Sequence, residues 1–300
     1  TTFFPNFVSF DKNTVSGAFN TTPLSIALFL SICWFNFSAK AMFFLLVAVI
    51  NISLYININF VITHKIFLYN TKKMTQKLTI LFDLDGTLVD TAPDLMNAHN
   101  HVMKKFGYKT KSGDEIKALI GKGASTMIGR SMWSAAKKDL KKIKEKEIKE
   151  KMVKEFLNFY SSNILVESKL ISGAEKFLSW CQNNNISMAV CTNKQEHLAI
   201  DLLKKIGINS FFEYVAGCDT FDYCKPDARH LTKVIEIMGG DIKKTLMIGD
   251  SDVDAQSAQN ASLPFILLEN GYTDKTTSQI KHDHLIKNFI DFEKIVKNYL

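Results

Sequence analysis

The sequence predicts an α/β fold: a doubly wound parallel sheet with a helical domain inserted after its first strand. Three observations predict it. Short, unbroken apolar runs of strand length occur at 78–82, 186–191, 214–216, 245–248 and 265–268. A strand covered on both faces reads as a continuous apolar run rather than an alternating one. Helical periodicity separates the later runs, at 174–183, 195–206, 228–238 and 253–260, as parallel crossovers require. Between the first and second runs lie about a hundred residues, far more than one crossover needs, and 92–106, 113–119, 124–136 and 140–160 all read as helices.

Taken from the N-terminus, residues 1–73 differ in kind from the rest. They hold five lysines and one acid, 12 of the 23 Phe and one of the 14 Gly. Residues 41–62 carry no charge over 22 positions, long enough to span a bilayer. No basic n-region or small-residue cleavage site marks a signal peptide. We expect this segment to be sequence translated ahead of a start at Met74, with a membrane anchor through 41–62 as the alternative. The compact protein is then expected as a catalytic core of 74–91 and 169–300, with 92–168 as the inserted helical cap.

The whole-chain charge of +7 invites a nucleic-acid reading. Residues 74–300 hold 32 basic and 29 acidic residues, however, so their net charge is only +3. The run 137–151, KKDLKKIKEKEIKEK, interleaves acids with Glu145/Lys149 and Glu147/Lys151 at i,i+4 and has no aromatic residue. It reads as a solvated helix face rather than a strand-binding platform. No nucleic-acid partner is expected. The five cysteines form no CxxC pair, which fits free thiols in a reducing cytoplasm.

Polar clusters follow the strand runs. Asp83 and Asp85 close the first; at i,i+2 on extended backbone they share a side about 7 Å apart. Such a pair at the end of a buried strand needs a cation or hydrogen bonds, and Gly86 permits a tight turn after it. Thr192, Asn193 and Lys194 follow the second run, where a hydroxyl, an amide and helix N–H groups can hold phosphate oxygens or simply cap the helix. Lys225, before Pro226, reads either as a neutralising cation or as an exposed loop lysine. Asp250, Asp252 and Asp254 follow the fourth run, three acids in five residues that suit a hard cation or a helix cap. Each cluster alone has a plain structural reading. Together they occupy the carboxyl ends of parallel strands, where open α/β sheets bind ligands.

These residues carry a family resemblance. DLDGT at 83–87, CTN at 191–193, KPD at 225–227 and GDSDVD at 249–254 resemble, in order and spacing, the four motifs of the haloacid dehalogenase superfamily of phosphatases. CTNKQEHLAIDLLKKIGI, GCDTFDYCKPDARHL and ENGYTD are most similar to proteobacterial phosphoglycolate phosphatases. The resemblance implies an HAD-like Rossmannoid core with a helical cap. It implies Mg²⁺-dependent hydrolysis of a small phosphorylated carboxylic acid, 2-phosphoglycolate, to glycolate and phosphate through an aspartyl phosphate. Asp83 would be the nucleophile and Asp85 the general acid/base. Mg²⁺ would be held by Asp83, the Asp85 carbonyl, Asp250 and Asp254, and the phosphoryl oxygens by Gly86, Thr192, Asn193 and Lys225.

The second aspartate, Asp85, separates this chain from the dehalogenases, whose alkyl halides need no leaving-group proton. A β-phosphoglucomutase-like mutase shares it, and a membrane-anchored binding protein on an HAD fold is the non-enzymatic alternative. Substrate choice is expected in the cap, with Lys122 or Arg130 meeting a carboxylate. His99 and His101 on a cap helix, and His282 and His284 in a polar tail, read as ordinary surface residues.

Overall fold

The structure, a computed structural model, describes residues 46–50, 52, 53, 55, 77–135, 142–290 and 292–299; side chains at 133–135 and 142–144 are not described. The chain divides into two compact units, Thr1–Tyr69 and Asn70–Leu300. In the first, all the described residues are helical. Most of the apolar stretch 41–62, and the start proposed at Met74, lie outside the described residues. No described helix is long and apolar enough to cross a membrane.

The second unit is built on six parallel strands in the order β5-β4-β1-β6-β7-β8. In chain order, the main-sheet strands are β1 (Thr79–Phe82), β4 (Ser187–Cys191), β5 (Tyr214–Ala216), β6 (Thr245–Gly249), β7 (Phe265–Leu268) and β8 (His284–Ile286). A separate two-stranded ribbon pairs β2 (Val89–Asp90) with β3 (Lys169–Leu170). The helices are α1 (Ala92–Lys105), α2 (Gly113–Lys117), α3 (Ala124–Ala135), α4 (Lys142–Ser162), α5 (Ala174–Asn183), α6 (Glu196–Lys205), α7 (Ala228–Ile237), α8 (Asp252–Asn260) and α9 (Glu293–Val296). Five of the six main strands are the apolar runs read from sequence. The sixth, β8, replaces the expected polar tail: its short HLI segment pairs in parallel with Ile266–Leu268.

Alternation along each strand divides the core between two faces. Ile80, Phe82, Met188, Val190, Leu246 and Ile248 share one cluster with α5 and α6. Leu81, Ala189, Cys191, Met247 and Leu267 share the other with α7 and α8. Phe82 has ring contacts with Phe177, Phe212 and Phe289 at 6.2, 6.0 and 6.4 Å, so the residue before Asp83 is fixed on three sides. Register then places the chemistry. Phe82 lies opposite Val190 on one side and Ile248 on the other. The three central strands therefore deliver Asp83 and, one residue further along, Thr192 and Asp250 to the same carboxyl edge of the sheet.

Helices α1 to α4 lie between β2 and β3, and the β2–β3 ribbon brings the two connecting segments together. Asp94, in the first turn of α1, seals the junction. Its carboxylate accepts the N–H groups of Val166, Glu167 and Ser168 at 3.0, 3.0 and 2.9 Å, and the Ser168 hydroxyl at 2.6 Å. Burial alone would raise its pKa; these donors outweigh burial and hold it below the ordinary value. His99 is not a surface residue. It is fully buried in α1 with Nε2 2.8 Å from the Ser131 hydroxyl, which ties α1 to α3. His101 is half-buried, stacks on Phe159 at 4.1 Å and pairs with Glu155.

Candidate active site

Asp83, Asp250 and Asp254 meet beyond the ends of β1 and β6. Each offers a carboxylate oxygen, and the three atoms lie within 4.8 Å of one another. Lys225 is inserted among them, its ammonium 2.7 Å from Asp83 Oδ1 and 2.6 Å from Asp254 Oδ1. It is 3% exposed, so the reading of an exposed loop lysine is replaced by a buried counter-ion. Burial alone would lower its pKa, but the Asp254 and Asp83 carboxylates hold it above the ordinary value.

One ammonium does not balance three carboxylates. Burial first, then the charges of Asp254 and Asp85, push the Asp83 pKa up to about 7 against the opposing pull of Lys225. Asp250 is raised well above its ordinary value by burial and by the Asp83 and Asp254 charges. An all-oxygen set carrying excess negative charge away from water fits a hard divalent cation, which removes that penalty.

The remaining lone pairs are organised from nearby loops. Asp250 accepts the Thr87 hydroxyl at 2.7 Å and the Tyr272 N–H at 2.6 Å. Asp254 accepts the Ser251 hydroxyl at 2.6 Å, closing a capping box at the start of α8. The helix-cap and cation-site readings of 249–254 are thus compatible: one oxygen of Asp254 caps, and the other meets Lys225.

Asp85 is outside the triad. Its side chain takes the Thr91 hydroxyl at 2.7 Å and the Lys194 ammonium at 2.7 and 3.0 Å. Thr192 is buried, and its oxygen accepts the Lys194 N–H at 3.1 Å, which leaves the hydroxyl hydrogen to donate. Asn193 is placed differently from expectation. Its amide nitrogen donates to Gly121 O and Lys225 O, both at 3.0 Å, so it bridges the α2–α3 loop to the Lys225 loop.

Gly86 also has a different role from the expected phosphate contact. Its N–H donates to Val89 O at 2.8 Å, and its φ is +87°. A Cβ there would sit 2.3 Å from Asp250 Oδ2 and 2.8 Å from the Tyr272 ring. Glycine is needed so that the chain can pass beneath Asp250. Gly86→Ala should therefore cost about 1–3 kcal/mol in backbone strain alone and displace Asp250. Urea unfolding and a cation titration check both effects; a variant matching wild type in each would remove this role.

A cavity of about 330 Å³ opens above these groups, lined by Asp83, Asp85, Thr192, Asn193 and Lys194 from below and by Tyr160 and Met127 from the inserted helices. Lys122 lines it from the 121–123 loop, where φ values of +90° and +81° at Gly121 and Gly123 set the turn. Arg130 is not brought into the cavity: its guanidinium donates to Ala118 O and pairs with Asp274 at 3.0 Å.

Two participants had no assigned role in the sequence reading. Lys194 stood beside the Thr192 cluster, but its pairing with Asp85 spans 109 positions and has no local signal. Tyr272 joins Asp250 to the start of the insert through its N–H, and its hydroxyl donates to Asp90 and accepts the Ala92 N–H at 2.8 Å.

Fold and site together define an α/β enzyme whose acidic centre lies at the carboxyl edge of a parallel sheet. The chain belongs to the haloacid dehalogenase-like hydrolase family, whose model matches residues 80–268. It is 37% identical over 222 residues to a phosphoglycolate phosphatase of Agrobacterium fabrum, covering 72% of this chain and 93% of that one. It is 36% identical to the phosphoglycolate phosphatase of Caulobacter vibrioides, covering 72% and 89%. The crystal structure of a predicted phosphoglycolate phosphatase from Haemophilus somnus 129PT superposes with a TM-score of 0.69 at 28% identity, covering 74% and 99%.

Proposed function

We propose that the protein hydrolyses 2-phosphoglycolate to glycolate and phosphate, with Mg²⁺ as its metal and Asp83 as its covalent nucleophile. The carrying observation is the division of labour between two carboxylates on one strand end. Asp83 joins the triad and Lys225, whereas Asp85 stands apart with Thr91 and Lys194. Three relatives at 34–37% identity named phosphoglycolate phosphatase support the substrate.

Phosphate monoester hydrolysis is among the slowest uncatalysed reactions, and a covalent intermediate divides it into two easier steps. An Asp83 carboxylate oxygen attacks phosphorus; the bond to the leaving oxygen breaks, and that oxygen takes a proton from Asp85. Asp85 then accepts a proton from the water that attacks the aspartyl phosphate, which returns Asp85 to its acid form and Asp83 to its carboxylate. The Thr192 hydroxyl and the Lys225 ammonium meet the equatorial phosphoryl oxygens. Mg²⁺ would be held by Asp83, Asp250, Asp254 and the Asp85 carbonyl, and would supply charge neutralisation between anionic nucleophile and anionic substrate. The inserted helices 92–168 act as a cap that excludes water from the cavity. The four described cysteines are free, which suits a cytoplasmic enzyme.

The test is phosphate release from 2-phosphoglycolate by the full chain. Activity should require Mg²⁺, disappear with EDTA and return on adding excess Mg²⁺. Faster turnover of other small phosphomonoesters, with 2-phosphoglycolate left intact, would overturn the substrate. Interconversion of sugar phosphates through a bisphosphate, without net phosphate release, would establish the mutase alternative.

A further inference from the structure

We propose that Lys194 is the specificity-determining residue of this site. It meets the substrate's carboxylate by exchanging its ion pair with Asp85 for one with the substrate. The inference rests on the substrate class argued above and adds the residue that reads it.

The charges around the cavity narrow the choice. Arg130 is held outside by Ala118 O and Asp274. Lys225 is held between Asp83 and Asp254, where it serves the phosphoryl end of the substrate rather than the carboxylate end. Among the described residues the lining contains two cations, Lys122 and Lys194. Lys122 is exposed on its loop, whereas the Lys194 side chain is 5% exposed. A desolvated ammonium discriminates between a charged and an uncharged substrate far more sharply than a solvated one.

The position also fits. Lys194 follows Thr192 by two residues, and the Thr192 hydroxyl is the donor left for the phosphoryl group. The Lys194 ammonium also lies 2.7 Å from the Asp85 carboxylate that serves the leaving oxygen, so an acid group close to that oxygen on the substrate is within its reach. Much of the remaining wall is apolar, including Leu95, Met127, Phe156 and Leu198, and offers a carboxylate no partner.

The exchange costs Asp85 its counter-ion, while Lys194 keeps one throughout. Asp85 keeps the Thr91 hydroxyl at 2.7 Å when Lys194 turns away, and Lys194 gains a carboxylate as it loses one. The face of the Tyr160 ring, 4.6 Å from the ammonium, accompanies it from α4 and stabilises the cation in either pairing. A phosphomonoester without a carboxylate has nothing to exchange. It leaves Lys194 clamped to the group that must serve its leaving oxygen, so discrimination arises from both an attraction and a penalty.

The experiment compares kcat/KM for 2-phosphoglycolate and for ethyl phosphate, which keeps the two-carbon ester but lacks the carboxylate. Both are measured with Mg²⁺ on the full-length wild type and Lys194→Met. Wild type should prefer 2-phosphoglycolate, and Lys194→Met should reduce that preference about tenfold or more. If the Met variant does not fold, Lys194→Gln, which keeps a donor toward Asp85, is expected to show the same loss. Equal losses on both substrates would overturn the proposal and leave Lys194 as a residue that only positions Asp85. A wild type that hydrolyses both substrates with no preference would instead overturn the substrate class on which the proposal rests.

Discussion

Asp83→Asn is expected to lower kcat for phosphate release by about 10³-fold or more while the protein stays folded. The amide keeps the side chain's shape but is no nucleophile. It also removes one negative charge from a site where three carboxylates share one buried lysine. Loss of activity should therefore come without loss of stability in the metal-free protein.

The pH dependence makes this sharper. The Asp83 pKa rises from 3.8 to about 7 on folding, so between those values the folded state binds more protons than the unfolded chain. Asp83 therefore makes metal-free stability fall as pH rises from about 4 to about 7, with its penalty fully present above about 7. Asp83→Asn should flatten that slope, as urea midpoints at a series of pH values would show. A variant that unfolds, or one with full activity, would contradict the assignment.

Lys225→Ala should have the largest effect on stability. Its ammonium touches Asp83 and Asp254 within 2.7 Å, and it is 3% exposed. Removing one member of a buried charge cluster leaves the others uncompensated, which costs about 3–5 kcal/mol. The loss should be greatest in EDTA and partly recovered with Mg²⁺, because a divalent cation replaces some of the missing positive charge. Urea unfolding with and without Mg²⁺ measures both quantities. An unchanged midpoint in EDTA would mean that the cluster does not depend on Lys225.

Much of the sheet was legible because its strands are buried on both faces. Residues 79–82 and 265–268 are apolar apart from Thr79 and fully buried, so composition alone marks them. Segment 284–286 gave no such signal, because an edge strand with half-exposed His284 and exposed Leu285 can be polar. The two-residue β2 and β3 are defined by their mutual pairing, which no local pattern reports. The acidic positions were legible for a different reason: carboxylates at the ends of apolar strands are costly, so their presence demands an explanation.

Long-range partnership was not legible. Lys225 could be read as a loop lysine because its two acids lie 142 and 29 positions away. Gly86 stood within a motif that implied a phosphate contact, but its need for glycine comes from Asp250 and Tyr272, far along the chain. His99 read as surface because the Ser131 hydroxyl that satisfies it lies on another helix.

Asp83 as carrier of the phosphoryl group is directly accessible to experiment. The most direct measurement is rapid acid quench of a single turnover with phosphorus-labelled 2-phosphoglycolate, followed by mapping of the labelled peptide. Transient label is expected on Asp83, released by hydroxylamine and absent in Asp83→Asn. Full turnover with no label on Asp83 at any quench time, in a wild type shown to release phosphate, would contradict it.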